Sequence, residues 1–212
     1  VNRLRLSLKQ ISIISILAGI IYNSWPLGLF VNPVVTKYGQ ASQLAASHQP
    51  YQWVFRYGDV CASLLMALVC YLIWQAYKAE MIKRRYVYSL FLILGFGVFA
   101  SIAALVPVQC VSALHVCPNF VHNPLTFTHA ISSVIGPLCL FLALCFLRTK
   151  KTGKFLDVQI GVCFITGLIT FILQFIPGSD VFIQDVFIAV CSFCLVVYPY
   201  DIVRLSLKSQ TN

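Results

Sequence analysis

Charge is what this chain most lacks. Asp, Glu, Lys and Arg make up 10% of its 212 residues, against about 25% in an ordinary soluble domain. Apolar residues make up 59%. So few charges cannot cover a water-facing exterior, and one core of this size cannot hide so much apolar surface. The bilayer removes the conflict, because lipid solvates an apolar outside. Compact catalytic signatures are missing as well: the chain holds neither HExxH nor GxSxG. It also lacks low-complexity runs and long polar linkers, which argues for one domain over 1–212. No internal repeat stands out, although six helices would allow a three-plus-three arrangement.

What is present is apolar sequence in long blocks. A membrane helix needs about 20 mostly apolar residues. Six segments qualify, at about 10–30, 53–77, 86–108, 125–147, 155–176 and 180–203. The expected fold class is therefore all-α, a polytopic transmembrane bundle of about six helices. For the first segment the alternative is a cleaved signal peptide, since Arg3, Arg5 and Lys9 precede it. Its apolar stretch is longer than a signal h-region and no small-x-small site follows, so a retained helix is expected.

Basic residues orient the bundle. Arg3, Arg5 and Lys9 precede the first segment; Lys78, Lys83, Arg84 and Arg85 join the second to the third. Arg148, Lys150, Lys151 and Lys154 join the fourth to the fifth, and Arg204 and Lys208 follow the sixth. Of fifteen basic residues only Lys37 and Arg56 fall on the other side. The positive-inside rule then puts both termini in the cytoplasm and the chain in the cell membrane. Topology alone accounts for the net charge of +9, so no nucleic-acid partner is implied. The basic runs also suit anionic headgroups, and membrane lipids are the expected partners, with a protein partner in the membrane a further one.

The two sets of loops differ. The links on the basic side are short. On the other side, 31–52 and 109–124 are longer, richer in polar and aromatic residues, and the natural place for a site. Cys110 and Cys117 lie in the second of these and would form a disulfide in an oxidising compartment. Seven other cysteines (Cys61, Cys70, Cys139, Cys145, Cys163, Cys191 and Cys194) fall inside apolar runs, where cysteine is a small packing residue. Cys191 and Cys194 have CxxC spacing, but mid-helix that spacing is one helical turn.

Acids sort by depth. Glu80, Asp157 and Asp201 are expected near the basic ends, solvated or paired with nearby cations. Asp59, Asp185 and His129 instead project at a similar depth near the other face, and Asn23 and Trp25 approach the same layer. Ionisable groups inside a span lean towards function. The structural alternative is a polar packing cluster in which Asp59 pairs with Arg56 or His129. Candidate ligand-binding residues are Asn23, Trp25, Arg56, Asp59, His122, His129 and Asp185; the catalytic candidates are Asp59, His129 and Asp185. His122, His129 and Asp59 are the candidate metal ligands, with zinc the fitting ion. His115, His122 and His129 are spaced by seven, but the first two fall in a loop, where that spacing carries no geometry.

The segment Asn23-Ser24-Trp25-Pro26-Leu27-Gly28, then Asn32-Pro33, Ser42-Gln43-Leu44-Ala45-Ala46, Gln49-Pro50 and Phe55-Arg56-Tyr57-Gly58-Asp59, resembles the six-helix family of microbial membrane proteins called domain of unknown function 998. Thr128-His129-Ala130 fits the same pattern. Ser-Glu often stands in that family where Ser42-Gln43 stands here, so an acid is missing. The resemblance implies a six-helix membrane fold and no reaction.

Three function classes follow. The first is a non-enzymatic module or accessory subunit that binds a lipid or a partner. The second is a membrane-embedded, metal-dependent hydrolase of a lipid amide or ester. The third is a small-solute transporter, for which Gly136-Pro137 and Tyr198-Pro199 would supply kinks. The charge pattern predicts that a peptide tag at either terminus is protected from protease added outside intact cells and cleaved once they are permeabilised.

Overall fold

The computed structural model describes residues 8–38, 41–78, 83–106, 108, 123–148, 154–173 and 182–208. Helix α1 covers Leu8–Tyr22; a 3-10 turn at Trp25–Leu27 and the short α2, Gly28–Val31, continue it. Then come α3 (Pro33–Tyr38), a second 3-10 turn (Ala41–Ala45), α4 (Gln52–Tyr77) and α5 (Arg84–Leu105). Helices α6 (Pro124–Leu147), α7 (Lys154–Leu173) and α8 (Phe182–Lys208) complete the chain. Helices α4 to α8 are each long and apolar enough to cross a bilayer. Helix α1 with the Trp25–Val31 segment passes the same test as a pair bent by 41° at the break, which makes five spans, or six if the bent pair is one. The fold is an all-helical multi-pass membrane bundle.

The bend falls where Pro26 cannot continue a helix. Helix α5 ends at Leu105 rather than 108, since Val106 precedes Pro107 and leaves the α region, at φ −101° and ψ 84°. Helix α6 begins at an Asn123 cap, whose Oδ1 accepts from the Leu125 and Thr126 amides. Helix α8 runs through Pro199 to Lys208, past the expected end at 203. That extension corrects the expectation for Asp201. It lies well inside the helix and is buried near Gln159, not solvated at an end. Asp157 does pair with Arg148, at 2.7 Å on the surface. Glu80 lies outside the described residues.

Neighbouring helices form a ring in the order α1, α4, α5, α6, α7, α8, closed by α1 against α8. Ser15 meets Leu195 and Gly19 meets Ser192, so α1 and α8 run antiparallel and the ring closes between first and last spans. Gly19 is required there: a Cβ would sit 3.1 Å from the Ser192 carbonyl oxygen and collide with Val196. The shared core holds Ile11, Met66, Ile93, Leu140, Leu144 and Leu195. Large apolar side chains such as Leu64, Phe91, Val98 and Ile165 are more than half exposed, which only a lipid surround accommodates.

In hydrocarbon every backbone polar group needs an internal partner. Pro199 has no N–H for the carbonyl of Leu195, four residues back. The hydroxyl of Ser15 crosses from α1 and donates to that oxygen at 2.6 Å. Ser15→Ala is therefore expected to destabilise the protein by about 1–3 kcal/mol, the cost of a buried acceptor left unpaired. In a Pro199→Ala background, where the helix supplies its own donor, the loss should shrink. A double-mutant cycle of thermal unfolding in detergent measures the difference.

Candidate functional site

The 31–52 segment is no irregular loop. Arg56, buried in α4, donates through Nε to the Ala45 carbonyl at 2.7 Å and through a terminal nitrogen to Gln52 Oε1 at 2.6 Å. Its guanidinium also sits over the Trp53 ring, 4.7 Å from the centroid. The clamp holds the second 3-10 turn against α4. Val35, Leu44, Ala45, Ala46 and Phe55 form a small second core there, with Trp25, Val31 and Val108 packed on it. Ser47 N–H donates to the Val108 carbonyl and ties this lid to the end of α5.

Beneath the lid lies a cavity of about 130 Å³. Ala41, Ser42 and Ala45 roof it; Tyr22, Ser24 and Trp25 form one wall; Phe55 and Asp59 of α4 form the next. His129, Ser132, Ser133 and Pro137 come from α6, Thr170 from α7, and Gln184, Phe187, Ile188 and Cys191 from α8. Gly58 lets α4 approach the end of α1, within ordinary contact of Ser24 and Ile21, and this brings Asp59 to that wall.

His129 is held from behind. Its Nδ1 lies 2.7 Å from the Ala103 carbonyl oxygen and 3.0 Å from that of Val106. Carbonyl oxygens only accept, so Nδ1 carries a proton and Nε2 is the ring nitrogen left for another partner. Ala103 is four residues before Pro107, so its oxygen is a second proline-freed acceptor, satisfied from a neighbouring helix. A third belongs to Ser133, four residues before Pro137; both residues line the cavity.

Asp59 and His129 thus share the cavity, as their sequence positions suggested. Arg56 does not reach Asp59, since it clamps the lid, and His129 turns Nδ1 to backbone carbonyls. The packing alternative for Asp59 therefore fails: among the described residues its carboxylate has no hydrogen-bond or ion-pair partner. Trp25 lines the cavity with its ring, while its indole N–H donates to Asn23 Oδ1 at 3.0 Å, so Asn23 orients the wall without being part of it. Asp185 is buried in the first turn of α8 but does not line the cavity. The α8 residues that do are 184, 187, 188 and 191, one helical face, and Asp185 is turned about 100° from Gln184. A carboxylate in a first turn suits the helix dipole, a structural role. Sequence reading missed Gln184, Tyr22, Phe55 and Ser133. The i, i+3, i+4, i+7 face starting at Gln184 was the available signal.

His122, His115, Cys110 and Cys117 lie outside the described residues, so the disulfide and the His122 ligand do too. Among the described residues no three His, Cys, Asp or Glu side chains are grouped to hold a metal ion. Cys70, Cys163, Cys191 and Cys194 are buried as packing residues.

The model of a family described as "Protein of unknown function (DUF998)" matches residues 13–200. The chain belongs to this family. No curated protein and no solved structure matches it. In this DUF998 member, stretches on which the resemblance rests build the chamber: Ser24-Trp25, Ser42, Ala45, Phe55, Asp59 and His129 all line it.

His129→Ala removes the donor for two carbonyls at the end of α5. We expect a loss of about 1–3 kcal/mol, read as a lower midpoint of thermal unfolding in detergent.

Proposed function

We propose that this protein is a non-enzymatic binding module of the membrane, and that its chamber takes the ammonium group of an amphiphile from the leaflet on the lid side. The supporting observation is the make-up of the wall. Among the described residues, the Asp59 carboxylate stands there without a partner and none that line the chamber is a lysine or arginine. Gln184 lines the wall as well, and its Oε1 is buried without a hydrogen-bond partner among the described residues. His129 Nε2 and the Ser133 carbonyl, deprived of its helical donor, add further acceptors. Tyr22, Trp25, Phe55 and Phe187 supply aromatic surface. Acceptors and ring faces around one carboxylate are what a cation with several N–H donors prefers. A phosphate or carboxylate group would face the Asp59 carboxylate, with no lysine or arginine among the described lining residues to offset it. The positive-inside rule places the lid on the outer face, so the ligand would come from the outer leaflet.

The hydrolase reading draws on the same pair, Asp59 and His129. It lacks an activated nucleophile: Ser132 and Ser133 line the chamber, but neither hydroxyl is hydrogen-bonded to His129 among the described residues. The binding reading therefore stands first.

The test is calorimetric titration of the purified protein with octylammonium and with octanoate. Octylammonium should bind and octanoate should not. Asp59→Asn should weaken octylammonium binding at least tenfold while leaving the unfolding midpoint nearly unchanged, because the carboxylate holds no partner in the fold. Equal binding of both amphiphiles, or full affinity in the Asn variant, would overturn the proposal.

A further inference from the structure

A second cavity, of about 210 Å³, lies between α6 and α7. It shares Ser133, Pro137, Thr170 and Phe187 with the chamber under the lid, so the two adjoin across these side chains, the Phe187 ring among them. The rest of its lining is almost wholly apolar, and Val134, Leu138, Phe164, Leu168 and Phe171 are also exposed on the bundle surface. The groove therefore opens sideways, to bilayer hydrocarbon and not to water. It runs from Val134 to Phe141 along α6, roughly 10 Å at 1.5 Å per residue. The Phe141 and Phe164 rings, 5.7 Å apart, lie at its far end from the chamber. Gly167 lets the Phe187 ring pack close at the chamber end: a Cβ there would come within 3.1 Å of it.

We infer that this groove is the tail site of the same ligand. An aliphatic chain lies between α6 and α7 while the head sits under the lid, and the amphiphile enters sideways from the membrane. This rests on the head-group reading given above. Two features select the occupant. A polar, cation-suited chamber adjoins the groove at one end, and bilayer hydrocarbon bounds its open side. A volume of roughly 150 Å³ already holds a benzene-sized ligand, so 210 Å³ accommodates a stretch of alkyl chain.

The experiment uses octylammonium carrying a photoreactive diazirine at the tail end, with the intact protein in nanodiscs. Crosslinks mapped by mass spectrometry should concentrate on α6 and α7 residues of the groove and be competed by unlabelled octylammonium. Leu168→Trp, at a groove residue that does not line the chamber, should weaken octylammonium at least tenfold and leave ethylammonium, which has no such tail, unchanged. Gly161→Leu, on the same helix where a Cβ meets nothing within 4 Å, should behave as wild type. Crosslinks spread evenly around the lipid-facing belt, as from ordinary bilayer lipid, would overturn the tail site even if the head binds. Crosslinks confined to another helix pair would overturn it as well. Loss of ethylammonium and octylammonium binding together in wild-type protein would instead sink the head-group reading.

Discussion

The architecture depends on one constraint: a peptide carbonyl in hydrocarbon has no water to turn to. Three prolines free a carbonyl four residues upstream, at Ala103, Leu195 and Ser133. The first is answered by His129 and the second by Ser15, each reaching from a different helix. Those two cross-links, α6 to α5 and α1 to α8, lie far apart around the ring and hold polar groups where greasy surfaces alone give little preference for one neighbour over another. The third carbonyl lies at the chamber wall, where other acceptors gather. The demand of the bilayer that pins the helices thus also shapes the chamber wall.

Much of the fold was legible because the membrane simplifies the code. Five of the six apolar segments match single helices closely, at 52–77 and 124–147 to within a residue. Misreadings came where local chemistry overrode the apolar count. Val106 before Pro107 shortened α5, and α8 runs on past the expected 203 to Lys208, with Ser15 satisfying the carbonyl that Pro199 frees. No pattern along the chain announces that partnership, since the two residues are separated by most of the sequence. Asp201 was misplaced for the same reason, as its depth depends on where α8 stops.

The site was legible in part. Asp59 and His129 are polar residues in apolar helices, and depth alone brought them to one layer. Depth carries no rotation, however, and that is why Asp185 looked equivalent to them. Only the helical face through Gln184 and Ile188 shows it turned away. Arg56 was read as a possible partner for Asp59 because they are one turn apart. The lid, which offers the Ala45 carbonyl, claims it instead, and this tertiary choice leaves the carboxylate uncompensated.

The closing of the ring by α1 against α8 has a consequence for biogenesis. Gln184, Phe187, Ile188 and Cys191, one side of the chamber, belong to α8, which leaves the ribosome after the helices that build the other sides. Until that span inserts and docks on Gly19, the earlier five stand as an open arc. A nascent chain therefore keeps its half-built pocket facing lipid, and the pocket matures only once α8 has been made.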